Sequence, residues 1–352
     1  MTQRVTIGTR AVGPGHPAYL IAEAGANHDR DLVMAHRLID VAADAGCDAV
    51  KFQTYSAETL YSRFTPRLKE MGEFSRSPEG ETPFELIRRI ELPREWQGEL
   101  RDHAVQRGLD FLSTPFDLQA VNELAGLGVK VFKIASYEIV YYALLKAAAK
   151  YQRPMIISTG NSDLADVERA VTAVREEGND QIILLHCVSQ YPARFEDLNL
   201  RAMQTLAQAF AVPVGFSDHT LGNTAAVVAV GLGACCFEKH LTLDRKRKGP
   251  DHPSAAEPDE LARYVQAIRD AEKALGSSVK RVQSSEEENH RLGRRSLHAL
   301  VDIPKGIRIT AEMLTVKRPA LGIHPGQERL VIGRTAKCNI RADEWVTWEM
   351  LS

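Results

Sequence analysis

At 352 residues the chain is long enough for a barrel-sized domain with a small appendage. Apolar residues make up 44% and charged residues 26%, which suits a soluble domain with a substantial core. The net charge of −2 gives no general pull toward nucleic acid or anionic membrane, so an anionic ligand needs local positive groups.

The first residues, MTQRVTIGTR, lack the apolar segment of a signal peptide. The longest apolar run, AAVVAVGLGACCF at 225–237, falls short of the roughly 20 residues a membrane span needs. Cysteines 47, 187, 235, 236 and 338 are odd in number, show no CxxC spacing and lie mostly in apolar segments. They read as reduced core thiols, predict a cytoplasmic setting and argue against a zinc–thiolate site.

After a short predicted hairpin, VTIGTRAVGPGHP, placed to close a barrel floor, β-rich apolar runs recur. They fall at 18–25, 48–54, 110–115, 131–136, 154–159, 182–189, 212–218 and 235–240. Segments with helical spacing lie between them, among them DLVMAHRLIDVAADAG and LADVERAVTAVREEG. PDELARYVQAIRDAEKALG follows the last strand and stops at Gly276. Eight strand–helix repeats predict a parallel (β/α)8 TIM barrel over residues 1–276. A doubly wound sheet is the competitor, but the turn after the first strand, GANHDRD, is no glycine-rich phosphate loop.

Residues 57–92 interrupt the alternation as a long polar insertion after the second strand, which reads as a lid or substrate wall. Residues 277–294 have the polar composition of a linker. Within 295–352, DIPKGIRITAEML at 302–314 returns as NIRADEWVTWEML at 339–351, predicting a small, pseudo-symmetric β-rich domain. A core that small is marginal on its own and leaves room for support from a partner chain.

Barrel enzymes place their chemistry where strands run out into the following loops. Those positions hold Glu23, Lys51, Gln53, Thr114, Lys133, Ser136, Ser158, His186, Ser189, Ser217, His219, Glu238 and His240. A lone strand-end histidine is commonly a hydrogen-bonded structural residue. Two on adjacent strands, with carboxylates alongside, also suit a divalent ion such as Mn²⁺, Mg²⁺ or Zn²⁺. Lys51 and Lys133 sit inside apolar strands, where an ammonium is costly unless paired. Each could simply pair with Glu23 or Glu138. Together with Ser136, Ser158 and Ser217 they read as a pocket for a multiply charged oxyanion, and a Schiff-base role stays open. Gly249-Pro250 turns the chain just past the eighth strand, aiming Asp251 and His252 at the mouth.

The ordered motifs IAEAGANH, AVKFQT, STPFD, FKIAS, ISTGN, GFSDHT, EKH, GPDH, RRSL and TVKRP resemble the N-acetylneuraminate (sialic acid) synthase family over nearly the whole chain. The resemblance implies a TIM barrel followed by an antifreeze-like SAF domain of β-clip type. It implies condensation of phosphoenolpyruvate with an N-acylated amino sugar to give a nine-carbon 2-keto acid and phosphate. His219 and His240 would ligate a divalent ion, Mn²⁺ in the first place, with Mg²⁺ or Co²⁺ as alternatives. Lys51, Thr114, Lys133, Ser136, Ser158, Ser189 and Ser217 would hold phosphoenolpyruvate, and Glu23 would manage protons or position water. Gln53, Glu138, Tyr191 and Asp251 would bind the sugar. Arg318 would reach it from the other subunit of a domain-swapped homodimer.

Tyr137 and the HCVSQYP segment depart from plain sialic acid synthases toward those of pseudaminic acid or spore-coat polysaccharide. They leave the condensation intact and the sugar, legionaminic-type precursors included, open. Two rival classes remain: a Schiff-base pyruvate aldolase using Lys133, and a non-catalytic carbohydrate- or ice-binding protein.

Overall fold

The computed structural model describes residues 4–65 and 81–352. Its contacts divide into two compact units, Met1–Gly276 and Ser277–Ser352. In the first unit eight parallel strands run in order along the chain: β1 (Tyr19–Gly25), β2 (Ala49–Thr54), β3 (Asp110–Pro115), β4 (Phe132–Ile134), β5 (Met155–Ser158), β6 (Ile182–Cys187), β7 (Val214–Asp218) and β8 (Cys236–His240). The ladder order is β3-β2-β1-β8-β7-β6-β5-β4, and β3 and β4 at its two ends lie side by side. The strand order therefore wraps around with no reversal, as a barrel requires and a doubly wound sheet does not.

The layering follows from the two-residue period of a strand. One set of alternate positions faces the helices: Leu20, Val50, Phe111, Phe132, Ile157, Leu184, Phe216 and Phe237 are all buried there. The other set fills the barrel. Its lower part is apolar, with Tyr19, Ile21, Leu112, Val131, Ile156, Ile183 and Leu185 packed together. The strands Val5–Ile7 and Arg10–Val12 pair as the predicted hairpin, and Val5, Ile7 and Val12 join that interior core. Each such aliphatic side chain contributes about 1.5–3 kcal/mol by leaving water. Two positions further along the same strands the inward set turns polar, which creates the floor of the site.

Helices are cut to length by local chemistry. Asp31 accepts from the backbone N–H groups of Val33 and Met34 at the start of α1 (Leu32–Asp44). The polar insertion is partly helical, holding α2 (Ala57–Leu60) and α3 (Pro83–Ile90). Thr82 and Glu85 form a capping box, and Pro83 opens α3 without losing a needed donor. The apolar face of α3, Phe84, Leu86, Ile87 and Ile90, packs with Ala26, Tyr55 and Ala57 into a small core beside the barrel mouth. The rest of the insertion, 66–80, lies outside the described residues. α4 (Pro258–Leu275) ends at Gly276, as predicted.

In the second unit, residues 277–294 hold a short exposed helix, Glu287–Gly293. Beyond it β9 (Ser296–Ala299) pairs antiparallel with β10 (Leu314–Lys317). The internal repeat is real in three dimensions. Ile303 and Ile340 exchange both backbone hydrogen bonds, at 2.8 and 2.9 Å. Leu300 donates to Met313 and, equivalently, Lys337 to Met350. Thr310 and Thr347 lead into matching one-turn helices with nearly identical dihedrals. Ile303, Leu314, Ile340 and Leu351 meet in one core.

Candidate active site

A cavity of about 310 Å³ opens at the carboxyl ends of the strands. Glu23, Lys51, Gln53, Thr114, Lys133, Ser136, Glu138, Ser158, Tyr191, Ser217, His219, His240 and Asp251 all line it. Thirteen expected residues from strands and loops far apart in sequence thus share one wall. Glu238 lines it too, and occupies its electrostatic centre.

Both lysines are buried, and both are paired. Lys51 Nζ lies 2.6 Å from Glu23 Oε2 and 3.7 Å from Glu238 Oε2, and donates to Thr114 Oγ1 at 3.0 Å. Lys133 Nζ lies 3.6 Å from Glu238 and donates to Ser158 Oγ at 2.6 Å. Burial alone would raise the Glu238 pKa, but Lys133 and Lys51 outweigh it and hold the carboxyl at about 2. For Glu23 burial wins over the attraction of Lys51, so its pKa is raised. Burial lowers that of Lys133. Two neighbouring carboxylates with opposite shifts are a common basis for dividing acid and base roles.

Next to the lysines, Ser136 Oγ accepts from the Gly160 amide at 3.0 Å and lies 3.1 Å from Cys187 Sγ. Gly160 leaves room for that approach, because a Cβ there would sit 2.9 Å from Ser136 Oγ. Ammonium groups and hydroxyls from β2, β4, β5 and β7 and their following loops therefore line the cavity, the donors an oxyanion needs.

The imidazoles of His219 and His240 stand 5.4 Å apart between ring centroids with their planes at 62°, and the Tyr191 ring is 4.2 Å from His219. His219 Nδ1 lies 2.7 Å from the Val188 carbonyl and so must donate to it, leaving Nε2 as the acceptor nitrogen, 3.5 Å from the Ser217 hydroxyl, which also reaches Glu238 at 3.3 Å. Burial and the neighbouring His240 depress the His219 pKa to about 3, keeping that ring neutral. This is how histidines that bind metals are oriented. His240 Nδ1, buried without a hydrogen bond, is 3.5 Å from Asp251 Oδ2. Burial lowers the His240 pKa less than Asp251, Glu23 and Glu238 raise it. Neutral imidazole nitrogen beside carboxylate oxygen fits a divalent ion of the Mn²⁺ type. Among the described residues no group of three or more His, Cys, Asp or Glu side chains is arranged to hold an ion. An ion between these rings would complete its shell with water or substrate oxygens.

Four residues singled out by the sequence do not line this cavity, and for His186 and His252 the expected direction is corrected. Ser189 does not line the cavity; its hydroxyl packs behind it, where a Cβ on Gly160 would collide. Arg318 is exposed on the second unit. His186 faces the helix layer, its Nε2 2.6 Å from the Leu198 carbonyl and its ring against Phe216. His252 turns away from the mouth and is buried between Asp29, at 2.9 Å, and Thr242, at 2.7 Å. The opposite wall comes largely from the 57–92 insertion, as its place after the second strand suggested, but its residues were not singled out: Tyr55, Leu60, Tyr61, Ile87, Ile90 and Phe116 give the cavity a mostly apolar side. The helical spacing of α3 was the available signal for Ile87 and Ile90, though not for their destination.

The NeuB family model matches residues 38–280, and the SAF domain model matches 294–352. The chain is 42% identical over 97% of its length, and 97% of the relative's, to the N,N'-diacetyllegionaminic acid synthase of Legionella pneumophila. The solved spore coat polysaccharide biosynthesis protein of Bacillus subtilis superposes with a TM-score of 0.68 at 37% identity, covering 99% of both chains. The N-acetylneuraminic acid synthetase of Leptospira borgpetersenii superposes with a TM-score of 0.72 at 37% identity, covering 82% of this chain and 95% of that one.

Proposed function

The chain belongs to the NeuB family and carries a SAF domain, and from that premise we infer that it is a transferase joining phosphoenolpyruvate to an N-acylated amino sugar. C3 of phosphoenolpyruvate bonds to the aldehyde carbon of the open-chain sugar, whose oxygen ends as a hydroxyl. Water adds at C2, the C2–O bond to phosphorus-bearing oxygen breaks, and a nine-carbon 2-keto acid and phosphate leave. The observation that carries this reading is the single cavity holding two paired lysines beside two facing imidazoles.

Lys51 and Lys133, with Thr114, Ser136, Ser158 and Ser217, would bind the phosphate and carboxylate of phosphoenolpyruvate; Ser189 would act from behind through Ser136 and Gly160. A divalent ion bound by His219 and His240 would supply polarisation of the aldehyde oxygen. Glu23, with its raised pKa, would exchange a proton or orient the attacking water. Gln53, Glu138, Tyr191 and Asp251 would take the sugar's polar groups. We also read the protein as a cytoplasmic homodimer in which Arg318 of one copy reaches the sugar in the other. Unpaired cysteines support the compartment, and the small core of the second unit supports the pairing. Among the described residues no helix is long and apolar enough to cross a membrane.

The test is phosphate release and product mass. Release should need phosphoenolpyruvate, an acylamino sugar and Mn²⁺ together, and stop on chelation. Undiminished turnover after thorough chelation would count against the ion. A pyruvate adduct on Lys133 trapped by borohydride would favour the aldolase instead.

The apolar wall bears on the acceptor. Leu60, Ile87, Ile90 and Phe116 offer no partners for hydroxyls but good contact for acyl methyl groups. We therefore favour an acceptor with two N-acyl groups, in line with the name of the Legionella relative. In a panel with phosphoenolpyruvate and Mn²⁺, such a sugar should exceed N-acetylmannosamine in kcat/KM by at least about tenfold. Preference for N-acetylmannosamine would overturn this choice and leave the condensation standing.

A further inference from the structure

Alternate positions of β7 and β8 face opposite ways. Ser217, His219, Glu238 and His240 look into the cavity, whereas Asp218 and Lys239 lie on the other side of the wall, toward α4. There they are register partners on adjacent strands. Lys239 Nζ lies 3.3 Å from Asp218 Oδ2, with the two side chains 5% and 0% exposed. The same layer is otherwise filled by side chains such as Phe216, Phe237, Leu241 and Ile268. An apolar pair of similar volume would serve stability there as well or better, so an ion pair in this place calls for another use.

The pair closes on the residues that carry the imidazoles. Asp218 Oδ1 accepts from the Thr220 amide at 2.8 Å and from its hydroxyl at 2.7 Å. Lys239 Nζ donates to the Thr220 carbonyl and lies 5.0 Å from the centre of the Tyr264 ring. Residues 218 and 220 on either side of His219 are thus both held from behind, by a lysine whose next neighbour is His240. Asp218 Oδ2 and the Tyr264 hydroxyl are buried without a well-formed hydrogen bond. A void of about 20 Å³ bordered by Thr220, Lys239, Ser254 and Tyr264 has room for one water to complete the cluster.

We propose that the Asp218–Lys239 pair, buttressed by Thr220 and Tyr264, is a positioning element that sets the separation and orientation of the His219 and His240 rings. It does not touch substrate; it acts through the backbone on both sides of His219 and before His240. The inference rests on the reading of these histidines as ligands of a divalent ion.

Full-length Lys239→Met and Asp218→Asn variants test it, with Mn²⁺ alone as the probe and free Mn²⁺ counted by electron paramagnetic resonance. Phosphoenolpyruvate binding without metal is measured by calorimetry, and folding by circular dichroism. The expected result is Mn²⁺ binding weaker by roughly 10- to 100-fold, the range for removed outer-shell partners of metal ligands. Phosphoenolpyruvate affinity should stay within about threefold, and Lys239→Arg should recover most of the Mn²⁺ affinity. Unchanged Mn²⁺ affinity in the folded variants overturns the proposal, as does equal loss of both ligands. If neither variant folds, Tyr264→Phe decides, since it removes a single hydroxyl from the cluster: several-fold weaker Mn²⁺ binding supports the proposal and unchanged binding overturns it. A wild-type protein that binds no Mn²⁺ instead refutes the ligand assignment itself, an outcome distinct from variants that bind like wild type.

Discussion

Glu23 and Lys51 occupy the same register position on β1 and β2, and their side chains meet at 2.6 Å inside the barrel. Glu23 Oε1 also accepts from Gln53 Nε2 at 2.6 Å, so a carboxylate at the centre of the site is fixed from two sides. Glu23→Gln keeps the shape and removes the proton acceptor. Lys51 retains Glu238 at 3.7 Å as a counter-charge, which softens the cost of losing one partner of a buried pair. The expected outcome is a kcat lower by roughly 10²- to 10⁴-fold, with phosphoenolpyruvate affinity changed only a few-fold in calorimetry. Turnover near the wild-type rate would remove Glu23 from the chemistry.

Glu138 gives a pH dependence with a definite sign. Burial raises its pKa from 4.5 to about 7, with its own backbone amide and Lys133 opposing. Between those values the folded chain holds a proton that the unfolded chain has released. Stability therefore falls as pH rises through that window and levels off above about 7. The full effect is on the order of 3 kcal/mol. Glu138→Gln should flatten this dependence and be the more stable form at pH 8, as read from denaturant unfolding at several pH values. A variant that tracks the wild type across the window would show that Glu138 ionises normally.

The barrel and most of its polar floor were legible because a strand has a period of two. Ile21 and Glu23, Ala49 and Lys51, Leu112 and Thr114, Val131 and Lys133 are each two apart, so the apolar interior of the barrel predicts where the polar floor begins. The same parity settles the acids near the histidines. Glu238 stands two positions before His240 and shares its face, while Asp218 stands one before His219 and is turned outward. His186 is misread for the same reason, being one position from the inward Cys187. Loop residues offer no such rule. His252 goes to Asp29, more than 200 positions earlier in the chain, and nothing periodic announces it. The apolar wall is visible as the apolar face of α3, but its placement over the cavity depends on long-range packing.

Arg318 is exposed and, among the described residues, enters no ion pair, so its replacement should leave the fold unharmed. Its planar guanidinium suits an acyl oxygen. Arg318→Ala should raise KM for the acylamino sugar at least about tenfold, with little change in KM for phosphoenolpyruvate. Arg318→Lys should restore only part of the loss. Equal weakening for both substrates, or none for either, would contradict the assignment.

Gly25 ties the backbone of β1 to the acceptor side of the cavity. Its φ of +51° is one that side chains disfavour, and an added Cβ would sit 2.9 Å from Asp251 Oδ2 and 3.3 Å from Glu23 Oε1. Gly25→Ala thus carries two penalties: about 1 kcal/mol or more of backbone strain, and displacement of Asp251 from its position 3.5 Å from His240. Asp251 rides on a loop held by His252 and Arg247 to Asp29, so it can yield further than Glu23, which the β-ladder fixes. The variant should be modestly less stable in thermal unfolding, with its largest kinetic change in sugar KM and its phosphoenolpyruvate affinity preserved. Removing the Asp251 carboxylate as well, in Gly25→Ala/Asp251→Ala, should relieve the clash, so the two changes together should cost less stability than their separate effects summed. Strict additivity would mean that Asp251 moves freely and that Gly25 serves the turn alone.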